Sequence, residues 1–214
     1  MSSAEGLSAR QATVKRAFDV VVAGVGLVVA SPVIAVAWLL STLDTRQNGL
    51  FRQARVGRNG EIFEVLKIRT MRGRGGSTVT VAGDARTTWL GAVLRKLKID
   101  ELPQLANVVR GEMSLVGPRP DVPGFADQLV GADRIVLTVR PGITGPAAVA
   151  YRHEEKLLAL ADDAEAFNRD VLWPAKVRLN REYVEQWSLR ADVRWLFATV
   201  RSVLDRAPVE GSLP

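Results

Sequence analysis

The apolar positions divide the chain into segments of different period. From Val20 to Leu43 there are 24 residues without a charge and without a polar face at helical spacing. A straight helix of that length would be roughly 36 Å long, enough to cross a hydrocarbon core of about 30 Å. Ser31-Pro32 divides the run into two halves of 12. Proline removes a backbone donor and crowds the preceding turn, so a break is expected there, with Ser31 as a partner for the freed backbone groups. Beyond this segment the period changes. Phe51 to Lys67 reads as two short strands around an Arg58-Asn59-Gly60 turn. Residues 73–83 are rich in Gly, Ser and Thr and read as a loop. Leu90, Val93, Leu94 and Leu97 predict a helix over 88–98, and Leu105, Val108 and Val109 a second that ends near Gly111. Over 187–204, Leu189, Val193, Leu196, Phe197, Val200 and Leu204 recur at helical spacing with arginines on the other faces. That pattern fits an interfacial helix and an ordinary amphipathic core helix equally. The expected fold is α+β and mainly helical: an apolar N-terminal segment over residues 1–45, then a polar domain over 46–214 with a small β-hairpin and interfacial amphipathic helices.

Charge sharpens this division. The whole net charge of +6 lies in residues 46–74, which hold Arg46, Arg52, Arg55, Arg58, Lys67, Arg69, Arg72 and Arg74 against Glu61 and Glu64. A concentrated basic stretch implies an anionic partner: lipid head groups, a phosphorylated small molecule or nucleic acid. A nucleic-acid partner would leave Val20–Leu43 unexplained and is not expected. Arg10, Lys15 and Arg16 precede the apolar run and the basic stretch follows it, so both flanks are positive, whereas a spanning helix should show an asymmetry. This favours a re-entrant hairpin that dips into one leaflet with both ends on the cytoplasmic face; a kinked spanning helix is the alternative. Gly24-Val25-Gly26 is not read as a dinucleotide-binding turn, because the following residues are uniformly apolar and contain Pro32.

Composition narrows the chemistry. Apolar residues make up 47% of the chain, which excludes disorder, and cysteine is absent, which excludes disulfides and thiolate metal sites. His153 is the single histidine. That removes His-based zinc sites, argues against a Ser/His/Asp triad, and leaves carboxylates, hydroxyls and arginines. Beside Glu154 and Glu155, His153 is read as a surface residue. Asp100-Glu101, preceded by Arg95, Lys96 and Lys98, is the best candidate site. Such carboxylates can hold Mg²⁺ against a phosphorylated ligand, and an aspartate can itself attack phosphorus. Pro118 and Pro120 bracket Arg119 and fix its backbone, presenting it to a phosphate or carboxylate; Arg140-Pro141-Gly142-Ile143-Thr144-Gly145 is read as a second rigid turn.

These blocks carry a resemblance to a known family. Lys15-Arg16-x-Phe18-Asp19 precedes the Pro-broken run, and Phe51-Arg52-Gln53-x-Arg55-Val56-Gly57-Arg58-Asn59-Gly60 and Lys67-Ile68-Arg69-Thr70-Met71 follow. Asp84-x-Arg86, Leu94-Arg95-Lys96 and Asp100-Glu101-Leu102-Pro103-Gln104-Leu105-x-Asn107-Val108 come next, then Met113 to Pro120 and Arg140 to Gly145. In this order they resemble the bacterial sugar transferases, the monotopic polyprenyl-phosphate phosphoglycosyl transferases, over roughly residues 14–204, and in the minimal catalytic form. The resemblance implies transfer of a sugar 1-phosphate from a UDP-sugar to polyprenyl (undecaprenyl) phosphate, with release of UMP and with Mg²⁺, at the start of glycoconjugate or exopolysaccharide synthesis. It implies that Asp100 is the nucleophile and Glu101 its partner, both by the metal, that Arg119 binds substrate, and that Lys67 and Arg69 are phosphate contacts; Arg95 and Arg152 join them as candidate substrate contacts. It matches Ser31-Pro32 to the break of a re-entrant helix in the bacterial inner membrane, with the catalytic domain (46–214) on the cytoplasmic face. A homodimer is left open. The family often continues past Gly145 with a Gln and an Asn-Gly, where this chain has Pro146-Ala147-Ala148-Val149-Ala150-Tyr151-Arg152, so the donor sugar is not specified. The alternative is a catalytically idle membrane adaptor that binds anionic lipid through the basic stretch.

Overall fold

The computed structural model describes residues 6–73 and 84–204. The 73–83 loop reading, except for Gly73 itself, lies outside these residues, as does Arg74 of the basic stretch. The apolar run forms the middle of α1 (Ala9–Thr45), a 37-residue helix. Ser8 caps it: the Ser8 hydroxyl accepts from Gln11 N–H, and the Gln11 side chain accepts from Ser8 N–H at 2.9 Å. Pro32 sits inside the helix. Its missing N–H would have bonded the Val28 carbonyl, and the neighbouring Ser31 hydroxyl donates to that same oxygen at 2.8 Å. The expected break is not seen: the helix runs on through Pro32, and the Ser31 hydroxyl takes the acceptor that proline leaves open.

Both flanks of Ser31-Pro32 rest on the polar domain. Lys15, Asp19 and Ala23 are buried on one side, and Ala37, Ser41 and Thr45 on the other; no residue from Gly24 to Val36 is buried. Asp19 accepts from Leu115 N–H at 3.1 Å, and Ser41 donates to the Arg69 carbonyl at 2.5 Å. Val28 and Val29, by contrast, are 74% and 73% exposed.

The hairpin pairs β1 (Leu50–Val56) with β2 (Ile62–Ile68) antiparallel, Leu50 opposite Ile68 and Val56 opposite Ile62. Asn59 and Gly60 both take positive φ in its turn, the conformation that the Asn-Gly pair supplies at little cost. Next comes α2 (Trp89–Lys96), capped by the Thr88 hydroxyl, then α3 (Gln104–Arg110), closed by Gly111 at φ 91°. The second block read as a rigid turn contains a strand: β4 (Gly142–Thr144) pairs in parallel with β3 (Ser114–Val116), which ends just before the Pro118-Arg119-Pro120 element. Glycine permits the pairing, because a Cβ on Gly142 would fall 2.1 Å from Gly117 N. Among the described residues, five α-helices follow: α4 (Pro146–Ala150), α5 (Glu154–Leu160), α6 (Ala164–Phe167), α7 (Trp173–Glu185) and α8 (Leu189–Leu204).

The main core joins Ala23 of α1, Val65, Val108, Met113, Val116 and Tyr183, with Leu189, Trp195 and Leu196 of α8 packed against it. A polar knot runs through it. Asp192 is fully buried and accepts from Lys15 Nζ at 2.6 Å, Tyr183 hydroxyl at 2.6 Å and Trp187 Nε1 at 3.1 Å. One carboxylate therefore ties the start of α1 to α7 and α8. On α8, Phe197 and Val200 are exposed.

Candidate active site

The Asp100-Glu101 pair sits on a single tight turn. Lys98 adopts left-handed φ, 58°, which ends the α2 segment and starts a 3₁₀ turn over Ile99–Glu101. This is a conformation that glycine or asparagine adopts more cheaply, so the surrounding packing must hold it. Ile99 provides that anchor, packing with Ile34 and Ala37 of α1 and with Ile68, Leu90 and Leu94. Behind the turn, Asn107 is fully buried and fastens α3 to β2: Nδ2 donates to the Glu64 carbonyl at 2.7 Å and Oδ1 accepts from Leu66 N–H at 3.1 Å. The carboxylates, Lys67 and the apolar helix are thus held in one packed unit.

The pair lines a cleft of about 1480 Å³ between β2, α2, α4, α5, α7 and α8. Asp100 and Glu101 are only 7% and 8% exposed. They differ in their company. Glu101 Oε1 takes Arg119 at 2.8 Å, Lys98 at 3.8 Å and Lys67 at 3.9 Å. Burial alone would raise the Glu101 carboxyl, but the charges of Arg119, Lys67 and Lys98 outweigh it and hold the group well below the usual carboxylate range. Asp100 Oδ1 is buried with no hydrogen-bond partner among the described residues. Burial, and then the charge of Glu101, push its pKa up to about 6. One carboxylate is fixed as an anion and serves as a charge partner. The other is desolvated, has one oxygen without a hydrogen bond among the described residues, and belongs to a residue that lines the cleft.

Cations surround both. Lys67 is pushed down to about 8, first by burial and then by Arg119, while Glu101 pulls the other way. Arg119 moves upward through its attraction to Glu101. It is delivered from the end of β3 between its two prolines. Arg95 lines the wall from α2 and pairs with Glu155 of α5; Arg152 lies on the same wall, its Nε donating to His153 Nε2 at 2.9 Å. Lys67, Arg95, Arg119 and Arg152 therefore share the cleft with Asp100 and Glu101. Arg69 does not line it: its Nε donates to the Asn48 carbonyl at 2.8 Å and its guanidinium covers the Phe51 ring at 5.3 Å. His153, read as a surface residue, is half-buried in the cleft wall. Most arginines of the basic stretch are anchored on the fold itself, Arg55 on the Pro120 carbonyl and Arg72 on Asp44.

The donor set suits Mg²⁺. Among the described residues no three His, Cys, Asp or Glu side chains form a cage. Mg²⁺ needs none, since it binds through one or two carboxylates and completes its shell with water and substrate phosphates. The unpartnered Asp100 Oδ1 would supply the first such ligand, with Glu101 next to it.

Residues 10–206 match the family described as Bacterial sugar transferase. The chain belongs to this family. It is 35% identical to the exopolysaccharide production protein ExoY of Rhizobium meliloti, across 88% of this chain and 84% of that protein. It is 37% identical to the UDP-glucose:undecaprenyl-phosphate glucose-1-phosphate transferase of Caulobacter vibrioides, across 89% of this chain and 69% of that one. Against the UDP-N-acetylgalactosamine-undecaprenyl-phosphate N-acetylgalactosaminephosphotransferase of Aeromonas hydrophila the identity is 35%, across 90% of this chain but only 44% of the relative. As a bacterial sugar transferase the chain is an enzyme, and the cleft holds its candidate site residues Lys67, Arg95, Asp100, Glu101, Arg119 and Arg152. The sequence reading overlooked Asp121, a half-buried cleft residue whose carboxylate accepts from Trp173 Nε1 at 3.3 Å and is raised by desolvation. Its only signal was its place next to Pro120. Lys176, paired with Glu154 across the same wall, carried no signal at all.

Proposed function

We propose that the chain transfers a sugar 1-phosphate from a UDP-sugar to undecaprenyl phosphate, through a covalent intermediate on Asp100, as the first membrane step of exopolysaccharide or glycoconjugate synthesis. The observation that carries this reading is the buried, unpartnered Asp100 Oδ1 beside a Glu101 held anionic by Arg119. An idle adaptor would have no reason to keep a carboxylate so costly to bury. The relatives' names, which specify undecaprenyl phosphate and in two cases a UDP-sugar, support the substrate classes.

In the first step the Asp100 carboxylate attacks the sugar-bearing phosphorus of the donor, the bond to the second phosphate breaks, and UMP leaves. In the second, an oxygen of the lipid phosphate attacks the same phosphorus, which frees the Asp100 carboxylate and yields a lipid diphosphate sugar. Arg119, Lys67, Arg95 and Arg152 bind and orient the phosphate oxygens, and Glu101 keeps Arg119 in place. Mg²⁺ held by Asp100 and Glu101 would supply neutralisation of the diphosphate charge. Arg69 is not included among these contacts.

The reading includes a re-entrant α1 in the bacterial cytoplasmic membrane, with the cleft on the cytoplasmic face and α8 at the interface. The burial of both helix flanks against one domain, the exposed valines between them and the Ser31 bond to Val28 support it. The test screens UDP-sugars with undecaprenyl phosphate and Mg²⁺, reading UMP: wild type releases it with at least one donor and Asp100→Asn with none. Full turnover by the variant refutes the nucleophile. Because the chain has no cysteine, Arg10→Cys and Gln47→Cys report topology directly. Both should resist an impermeant thiol reagent in intact cells; labelling of Arg10→Cys alone would mean that α1 spans.

A further inference from the structure

Away from the cleft, a shallow hollow of about 560 Å³ gathers Arg16 of α1, Arg58 of the hairpin turn and Arg140 ahead of β4; Ala17, Val20 and Val21 form its apolar side. None of the six lines the cleft. Each guanidinium is anchored on main-chain oxygen. Arg16 donates to the carbonyls of Val108 at 2.6 Å and Val109 at 3.0 Å, Arg140 Nε to that of Gly111 at 2.7 Å, and Arg58 Nε to that of Thr138 at 2.9 Å. Three of these four oxygens belong to the C-terminal end of α3, which offers only about half a negative charge. Capping that helix accounts for Arg16 and Arg140 but not for Arg58, and it leaves three full positive charges without a counter-ion. Among the described residues no carboxylate forms an ion pair with any of them. Arg140 titrates below the ordinary arginine range, first through burial and then through the charges of Arg16 and Arg58, with Asp19 the opposing carboxylate.

Like charges held together on rigid anchors, with donors left over beyond each anchored nitrogen, form a receptor for an oxyanion. The apolar side says which kind. Val20 and Val21 open the uncharged run of α1 and are themselves exposed, so an anion seated on the arginines would have hydrocarbon directly beside it. We infer that the Arg16–Arg58–Arg140 hollow binds the phosphate headgroup of an anionic bilayer phospholipid where α1 enters the acyl region, at a site separate from the catalytic cleft. The inference rests on the membrane-embedded reading of α1. It adds a defined lipid site to the diffuse basic surface. Arg16 and Arg140 lie outside the basic stretch, and Arg58 is its only contribution.

The test uses the purified full-length chain in mild detergent, titrated with phosphatidylglycerol or phosphatidylcholine, with retained lipid read as adduct mass by native mass spectrometry. Wild type should retain phosphatidylglycerol in preference to phosphatidylcholine. With about 1 kcal/mol for each arginine at a lipid surface, Arg58→Gln should weaken phosphatidylglycerol about fivefold, and Arg58→Gln with Arg140→Gln about 30-fold. A control with the same charge loss, Arg46→Gln with Arg52→Gln, should keep the preference. Equal retention by the double variant overturns the inference, and so does an equal loss in the control, which would mean net charge alone. Displacement of the phospholipid by inorganic phosphate at matched concentration would instead assign a free-anion site and also overturn it. Arg58→Gln alone, at an exposed turn, keeps the test open if the double variant is poorly folded. UMP release, measured on the same samples, separates a failure here from a failure of the transferase reading.

Discussion

Asp100→Asn should make the metal-free protein more stable while removing its activity. In the folded chain the Asp100 carboxyl is raised to about 6 because its charged form is buried beside Glu101 with one oxygen unpartnered. In the unfolded chain it returns to an ordinary value near 4. Ionisation of a group whose folded pKa is raised works against the fold, so the cost is absent below the unfolded value and complete above the folded one. The difference corresponds to about 3 kcal/mol near neutral pH, about half of that near pH 5, and almost nothing near pH 4. Asparagine carries no charge at any of these pH values and escapes the cost. For a chain of this size roughly 2–4 °C of Tm accompany each kcal/mol, so a gain of about 6–12 °C is expected near pH 7.5. Thermal unfolding in lipid nanodiscs with a chelator measures it. Added Mg²⁺ should then raise the wild-type Tm and leave the variant nearly unchanged, since the ligand lost is one of the two proposed to hold the metal. A variant that is less stable than wild type, or a difference that does not shrink on acidification, refutes a strained Asp100.

Three further outcomes follow from neighbouring contacts. Arg119→Lys keeps the charge but loses the planar fork facing Glu101, and kcat/KM for UMP release should fall about tenfold or more, with the Tm within a few degrees of wild type. Lys15→Met leaves the fully buried Asp192 without its cation and should cost about 3–5 kcal/mol, read by chemical denaturation. Gly142→Ala places a methyl 2.1 Å from Gly117 N and should separate β3 from β4, lowering both Tm and activity because Arg119 follows directly on β3.

Much of this arrangement was legible in the sequence where local chemistry alone decides the structure. The Asn59-Gly60 turn, the Gly111 stop and the charge-free run each specify their element within a few residues. The Ser31 hydroxyl could be assigned to backbone repair because proline names the missing donor in advance. What was not legible depends on partners distant in sequence. β3 and β4 are three residues each, too short for any periodicity, and their pairing rests on glycines that permit two backbones to meet. Arg69 sits in a block with Lys67, yet Lys67 reaches Glu101 from within β2, whereas Arg69, just past the strand, bonds the Asn48 carbonyl. The basic stretch suggested one surface, whereas the fold distributes it: Lys67 reaches the dyad, Arg55 and Arg72 brace the chain, and Arg58 joins two arginines from elsewhere. Asp121 had no motif of its own and is recognised only by where β3 delivers it.

The most direct measurement is the intact mass of the purified protein after incubation with its UDP-sugar donor and Mg²⁺ in the absence of any lipid acceptor. Wild type should gain the mass of one sugar phosphate, mapped by peptide sequencing to Asp100, and lose it when undecaprenyl phosphate is added, while Asp100→Asn gains nothing. A protein that releases UMP only when lipid is present and never carries that mass transfers in a single step, and Asp100 is then not its nucleophile.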